Sequence, residues 1–280
     1  MEASNIIHSW YGHKRRCLLL LTVSLVVACT GIPDAGQLAA RHDLSLRQVP
    51  GGPFVLPVLA RTEPVRGGRL HLYLEGDGRP WLGRERAANP TGRSTVALDL
   101  MLADPHPALL LGRPCYHQPG TPSPPCEPDL WTEGRYSPAV LDALAEAVQR
   151  LLAEYRPASL VLVGYSGGGV LALLLAQRQT LPTTVVTIAS NLDTAAWTEY
   201  HRHLPLTRSL NPALAIEPRA AFRQVHLAGG RDRIVPPATT ARYRERHPDA
   251  EYRLRADFDH HCCWVEAWPG LLDRVLAGGD

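Results

Sequence analysis

One stretch limits the folds open to this chain more than any other: Ser159-Leu-Val-Leu-Val-Gly164-Tyr165-Ser166-Gly167-Gly168-Gly169-Val-Leu-Ala-Leu-Leu-Leu-Ala176. Leu160 to Val163 is an apolar run without polar interruption, as expected of a strand buried on both faces of a parallel sheet. Val170 to Gln177 is rich in Ala and Leu and predicts a helix. Between them, Gly164-Tyr165-Ser166-Gly167-Gly168 fits G-x-S-x-G, in which a serine occupies a sharp strand-to-helix turn and small neighbours let the two elements approach. The helix N-terminus would place free N–H groups and its positive end behind Ser166. A glycine-rich turn of any α/β protein is the plainer reading, so the motif has to be tested against the residues downstream of it.

A serine hydroxyl needs a base to take its proton, and the base needs a third group to orient it. Downstream, Gly229-Gly230-Arg231-Asp232-Arg233-Ile-Val-Pro follows the apolar run Gln224 to Ala228, and Asp257-Phe-Asp259-His260-His261-Cys262-Cys263-Trp264 follows Glu251 to Arg255. Both candidates stand at expected C-terminal strand ends, where open α/β sheets place their sites. In order and phrasing the chain resembles the α/β-hydrolase superfamily over roughly residues 54 to 275, and in detail a group of bacterial lipoproteins with that fold.

The resemblance implies an α/β fold with a mostly parallel sheet covered by helices on both faces. It also implies Ser166 as nucleophile, Asp232 as acid and His260 as base, the last by similarity to an Asp-His-x-Cys-Cys-Trp pattern. His261 is the alternative base and Asp193, after the preceding strand, the alternative acid. Asp257 and Asp259 lie too near the histidines in sequence to be first choices. Other histidines (His71, His117, His226) are expected to be structural or exposed. An oxyanion hole would use the N–H of Gly167 and that of Asp77, in the loop after an early strand. Where the superfamily often has His-Gly-x, this chain has Glu75-Gly76-Asp77-Gly78. Two carboxylates therefore stand near the place where negative charge must develop, and are expected either to point away or to disfavour acidic substrates.

The N-terminus has another purpose. His13-Lys14-Arg15-Arg16 precedes an apolar run from Cys17 to Ala28, too short to span a bilayer comfortably. It ends in Val26-Val27-Ala28-Cys29, which resembles the bacterial lipobox, with valine where leucine is usual. The resemblance implies a signal peptide over 1–28, a lipidated Cys29, a tether over 29–50 and a hydrolase domain over 51–280 with a cap insertion at about 191–219. Thr30 in place of aspartate is compatible with sorting to the outer membrane, facing the periplasm. The alternative is a cleaved signal or uncleaved anchor with an incidental cysteine.

Export fits the cysteines. Cys115 and Cys126 enclose a Pro/Gly-rich loop of a length a disulfide closes easily, and in an oxidising compartment they are expected to be bridged. Cys262 and Cys263 are adjacent, a spacing at which pairing is rare, and small core residues are an equal reading. Four consecutive residues, His260 to Cys263, cannot all face one ion, so no metal is expected. No Gly-x-Gly-x-x-Gly follows the first strand and no Walker motif occurs, so no nucleotide cofactor is expected. Taking away Lys14, Arg15, Arg16 and Glu2 balances the 29 basic and 27 acidic residues at 26 each, without a basic tract for nucleic acid.

The function expected is a cell-envelope serine hydrolase cleaving an ester or related acyl bond of a small-molecule or lipid-like substrate, held to the membrane by its lipid. A non-catalytic binding or scaffolding module on the same fold, an amidase or peptidase, and an acyltransferase remain open from the residues alone. Replacing the lipid attachment point tests the address: Cys29→Ser is expected to move the full-length protein from the membrane to the soluble fraction of fractionated cells, whereas continued membrane association indicates an uncleaved anchor.

Overall fold

A computed structural model describes residues 32–61, 66–217 and 221–277. The expected signal peptide and Cys29 lie outside the described residues. Eight strands form one sheet in the order β1 (Ser45–Gly51), β2 (Phe54–Ala60), β6 (Ala108–Leu111), β3 (Arg69–Leu74), β7 (Ser159–Tyr165), β8 (Thr183–Ile188), β9 (Arg223–Gly229) and β10 (Glu251–Arg255). From β6 to β10 every pairing is parallel, and β2 runs against both its neighbours. Two-residue strands β4 (Trp81–Leu82) and β5 (Glu85–Arg86) make a separate ribbon.

The uninterrupted apolar strands follow from two-sided cover. In β7, Leu160 and Leu162 enter one core with helices α3 (Pro138–Tyr155) and α4 (Gly167–Ala176). Val161, Val163 and Tyr165 enter the other, with α1 (Ala35–His42), α2 (Val96–Ala103) and α8 (Trp264–Ala277). All ten residues of α4 are buried, so its Ala/Leu sequence carries no polar face. Ser137 and Pro138 start α3, with Ser137 Oγ accepting from the Val140 N–H and proline in the first turn. Between β8 and β9 lie α5 (Thr194–His201) and α6 (Pro212–Ala215), and α7 (Ala241–Arg246) follows β9.

Order begins earlier than the sequence suggests. Within the stretch read as a tether, α1 opens on a capping box, Asp34 accepting from the Gln37 N–H and Gln37 from the Asp34 N–H. β1 then pairs with β2 at the sheet edge. The helix is short and the strand buries only Val49 and Gly51, so neither presents the periodicity by which longer elements announce themselves.

A buried polar cluster lies at the start of β3. Asp104, wholly buried, accepts from Tyr73 Oη at 2.7 Å and meets His71 Nδ1 at 2.6 Å. Trp268 of α8 donates to the same Tyr73 oxygen at 2.8 Å, fastening the last helix to the middle of the sheet. Asp104 also receives the His106 N–H at 2.8 Å, while His106 Nδ1 lies 3.0 Å from it. His71, Asp104 and His106 are the one set of metal-ligand types gathered together among the described residues. Their ligand atoms already bond to one another, which accounts for the set without an ion. Asp104→Ala would leave these donors buried and unpaired; it is expected to cost about 3–5 kcal/mol, read as a fall in the urea midpoint.

Candidate active site

β7 ends at Tyr165 and α4 begins at Gly167, leaving Ser166 at φ 53° and ψ −124°. A serine in that region is strained and persists only where its surroundings impose it. Here they do. The Ser166 N–H donates to the Ile188 carbonyl at 2.8 Å and its carbonyl accepts from Gly169 at 3.0 Å. A side chain on Gly164 would overlap the backbone of Gly168, and one on Gly168 would overlap the carbonyls of Leu74 and Glu75. The glycines are thus the space that lets strand, helix and neighbouring loop meet.

Ser166 and His260 line one cleft of about 470 Å³ at the C-terminal ends of the parallel strands. His260 is held from behind. Its Nδ1 lies 2.8 Å from Asp232 Oδ2, while Asp232 Oδ1 accepts the N–H groups of Ile234 and Val235 at 2.8 and 2.7 Å. With one oxygen fixed by backbone, the other is aimed at the imidazole. Tyr165, the residue before the serine, donates its hydroxyl to the His260 carbonyl at 3.0 Å and packs its ring 5.2 Å from the imidazole.

The alternative candidates have other partners. His261 is exposed at the cleft, its Nδ1 3.1 Å from the Tyr165 hydroxyl, and makes no contact with Asp232. Asp193 is buried but fully engaged: Arg242 binds both its oxygens at 2.7 Å, Asn211 adds a bond at 2.8 Å, and the Ala195 and Ala196 N–H groups make it the N-cap of α5. Burial would raise its pKa, yet the bonds from Arg242, Asn211 and the Ala196 N–H, with the charge of Arg242, together outweigh this and hold it below the usual carboxylate range. Asp257 pairs with Arg231 at the surface, and Asp259 accepts the N–H groups of His261 and Cys262. Cys262 and Cys263 are joined in a disulfide on this loop, and Cys262 is exposed, so the core reading of the pair does not hold. Cys115 and Cys126 are also joined.

The loop after β3 crosses Ser166 closely: a Cβ added to Gly76 would lie 3.3 Å from Ser166 Cβ and 3.7 Å from its Oγ. Gly167 occupies the first helical position of α4, where an N–H has no intrahelical acceptor. The two carboxylates of this loop are neutralised. Asp77 receives Arg113 Nη1 at 2.8 Å, Arg135 Nη1 at 3.0 Å and the Tyr136 hydroxyl at 2.6 Å. Burial would raise its pKa, but the two guanidinium groups prevail and hold it low. Arg113 also binds the Gly76 carbonyl at 3.1 Å, and Tyr116 donates to the Asp77 carbonyl at 2.9 Å. Glu75 meets His117 Nε2 at 2.7 Å; burial alone would lower the pKa of that histidine, and the charge and hydrogen bond of Glu75, with the backbone of Pro33 and the charge of Asp34, together raise it instead. The expectation that these acids weigh against acidic substrates is therefore not supported by their surroundings, since Asp77 is bound by two guanidinium groups and Glu75 by the imidazole of His117.

Sequence reading passed over Arg113, Arg135 and Tyr136, and took His117 only as structural or exposed. A signal existed for Arg113, which stands two residues beyond β6 at the catalytic end of the sheet. Arg135 and Tyr136 lie in a loop and give no such sign.

No protein-family description matches the chain, and no curated protein is similar to it in sequence. Solved structures are similar in shape. An esterase from Pyrococcus furiosus superposes with a TM-score of 0.58 at 13% identity, covering 86% of this chain and 95% of its own. The fold is the α/β-hydrolase fold. An α/β serine hydrolase homologue from Coxiella burnetii gives 0.53 at 13%, over 84% and 96% of the two chains. An α/β serine hydrolase without a lid from Xanthomonas campestris gives 0.51 at 14%, over 84% and 93%. Within the α/β-hydrolase fold of this chain, the loop over Ser166 depends on the charge of Asp77. Asp77→Asn keeps the backbone N–H but strands two buried arginines; it is expected to lower stability by about 3–5 kcal/mol in urea titration.

Proposed function

We propose that the chain is a serine hydrolase of the cell envelope that cleaves an ester or related acyl bond through an acyl-enzyme. The observation that carries this reading is the 2.8 Å contact between His260 Nδ1 and Asp232 behind the cleft into which the strained Ser166 opens.

In the reaction, the Nε2 atom of His260 takes the proton as Ser166 Oγ bonds to the acyl carbon. Asp232 keeps the proton of the imidazole on Nδ1 and stabilises the imidazolium. The developing oxyanion receives the N–H groups of Gly167 and Asp77. Collapse breaks the bond to the alcohol, which leaves with the proton from His260. Water then gives its proton to the same nitrogen and attacks the acyl carbon, releasing the acid and restoring the serine. The bonds from Arg113 and Tyr116 to the carbonyls of Gly76 and Asp77 hold the loop in place, so that its N–H need not reorganise during reaction.

Trp197 of α5 and Ile234 line the same cleft and offer apolar surface to the acyl or alcohol group. This gives the segment between β8 and β9 the role of a short cap. Attachment to the membrane through Cys29 rests on the lipobox resemblance and would place the cleft near lipid-like esters on the periplasmic side of the outer membrane.

A fluorophosphonate probe and a panel of p-nitrophenyl esters of increasing acyl length test the assignment. Wild-type protein is expected to be labelled and Ser166→Ala not; persistent labelling reassigns the nucleophile. Asp232→Asn is expected to lower turnover by a factor on the order of 10⁴, and near-normal rates would remove Asp232 from the mechanism. His260→Ala is expected to abolish turnover while His261→Ala retains it.

A further inference from the structure

The charges around the cleft are unevenly matched. Glu75 is bound by His117, and Asp77 by Arg113 and Arg135. Arg79 and Arg93 also line the cleft, are exposed, and have no ion pair or side-chain hydrogen bond among the described residues. Their backbones are also neighbours. Arg79 follows Gly78 and Arg93 follows Gly92, and these glycines abut: a Cβ on Gly92 would lie 2.8 Å from Gly78 Cα. The Arg79 N–H donates to the Pro90 carbonyl at 2.7 Å, completing the crossing of the two loops. Gly78 has φ 64° and no space for a side chain, so the approach is built into the backbone.

Two guanidinium groups from touching loops repel each other, and here no carboxylate stands free to offset them. The positive charge continues into an adjoining chamber of about 920 Å³, which shares Pro80, Arg135 and Trp197 with the first. Arg84 and Arg202 line that chamber, and its one acid, Glu133, is bound by Arg86 at 3.1 Å. In a chain of formal net charge only +2, this clustering is local. Paired guanidinium groups match the oxygens of carboxylate and phosphate in shape as well as charge.

We propose that Arg79 and Arg93 form an anion subsite, so that the preferred substrate is an acyl ester carrying a carboxylate or phosphate group close to the scissile bond. The inference rests on the serine-hydrolase reading and gives its substrate a class. The anion lies beside the oxyanion loop and holds the ester across Ser166, while the remainder of the substrate extends past Trp197 into the second chamber.

Matched ester pairs test it. 4-Acetoxybenzoate against its methyl ester places a carboxylate on the alcohol side, and 4-acetoxyphenyl phosphate against its dimethyl ester a phosphate. The mono-p-nitrophenyl ester of glutaric acid, against its methyl ester, places a carboxylate on the acyl side. For each pair the readout is the ratio of kcat/KM, anionic over neutral, divided by the same ratio for hydroxide hydrolysis. At low salt at least one pair is expected to give a ratio of about 10, a discount on buried charge-assisted bonds because both arginines are exposed. The ratio should fall towards 1 near 1 M salt, where screening acts over ~3 Å. It should fall likewise in Arg79→Gln/Arg93→Gln, and hold in the remote surface variant Arg246→Gln. Ratios near 1 in every pair, or an unchanged preference in the double variant, overturn the subsite. Fluorophosphonate labelling separates the two readings: a labelled Ser166 with no anionic preference removes the subsite alone, whereas no labelling and no turnover of any ester removes the hydrolase reading and the subsite with it.

Discussion

The molecule depends on a contact that only glycine allows. At the end of β7 the chain turns into α4 with no room to spare, the Gly168 backbone lying against the carbonyls of Leu74 and Glu75 while Gly164 lies against Gly168 itself. One such approach fixes three things together. It sets the strained backbone of Ser166, the start of a fully buried helix, and the position of the loop after β3 above the serine. Strain at a reactive residue persists only if its neighbours over-determine it. Here two hydrogen bonds and two cores, one on each face of the sheet, do so.

Around this contact the other groups take their places by the topology of the sheet. Parallel strands bring their C-terminal ends to one side. Residues from four of them therefore converge: the Glu75 to Gly78 loop from β3, Ser166 from β7, Asp232 from β9 and His260 from β10. Asp193 comes from the same side, after β8, yet Arg242 and the N–H groups of α5 occupy it completely. Two carboxylates on adjacent strands thus have different uses because one caps a helix and the other faces an imidazole.

The elements legible in the sequence were those buried on both faces or amphipathic over several turns: β7, β8, β9, α3 and α4. The elements at the β1 edge were hidden, although β10 at the opposite edge was read. β1 buries two of its seven residues, and α1 runs only two turns, so both were absorbed into a supposed tether. α2 was also missed, because Val96 to Ala103 is apolar nearly all round and lacks helical periodicity. At the site, the serine, acid and histidine candidates could be named because each stands in a short local phrase after an apolar run. The effect of Glu75 and Asp77 could not be read in the same way. Its sign depends on His117, Arg113 and Arg135, which lie between 36 and 58 residues away in the chain and reach the loop only through the tertiary fold.

That separation has a bearing on how the protein comes into being. The backbone of Gly76 and Asp77 is held by Arg113 and Tyr116, and the Asp77 side chain by Arg135 and Tyr136. Cys115 and Cys126 are bridged within the same segment. A growing chain that has delivered β3 alone has none of these supports. The loop above Ser166 therefore gains its shape late, after the following strand, its disulfide segment and the approach to α3 have been added. The segment that shapes the space over Ser166 thus precedes the serine in the chain, and β7 arrives against a loop whose partners have already been made.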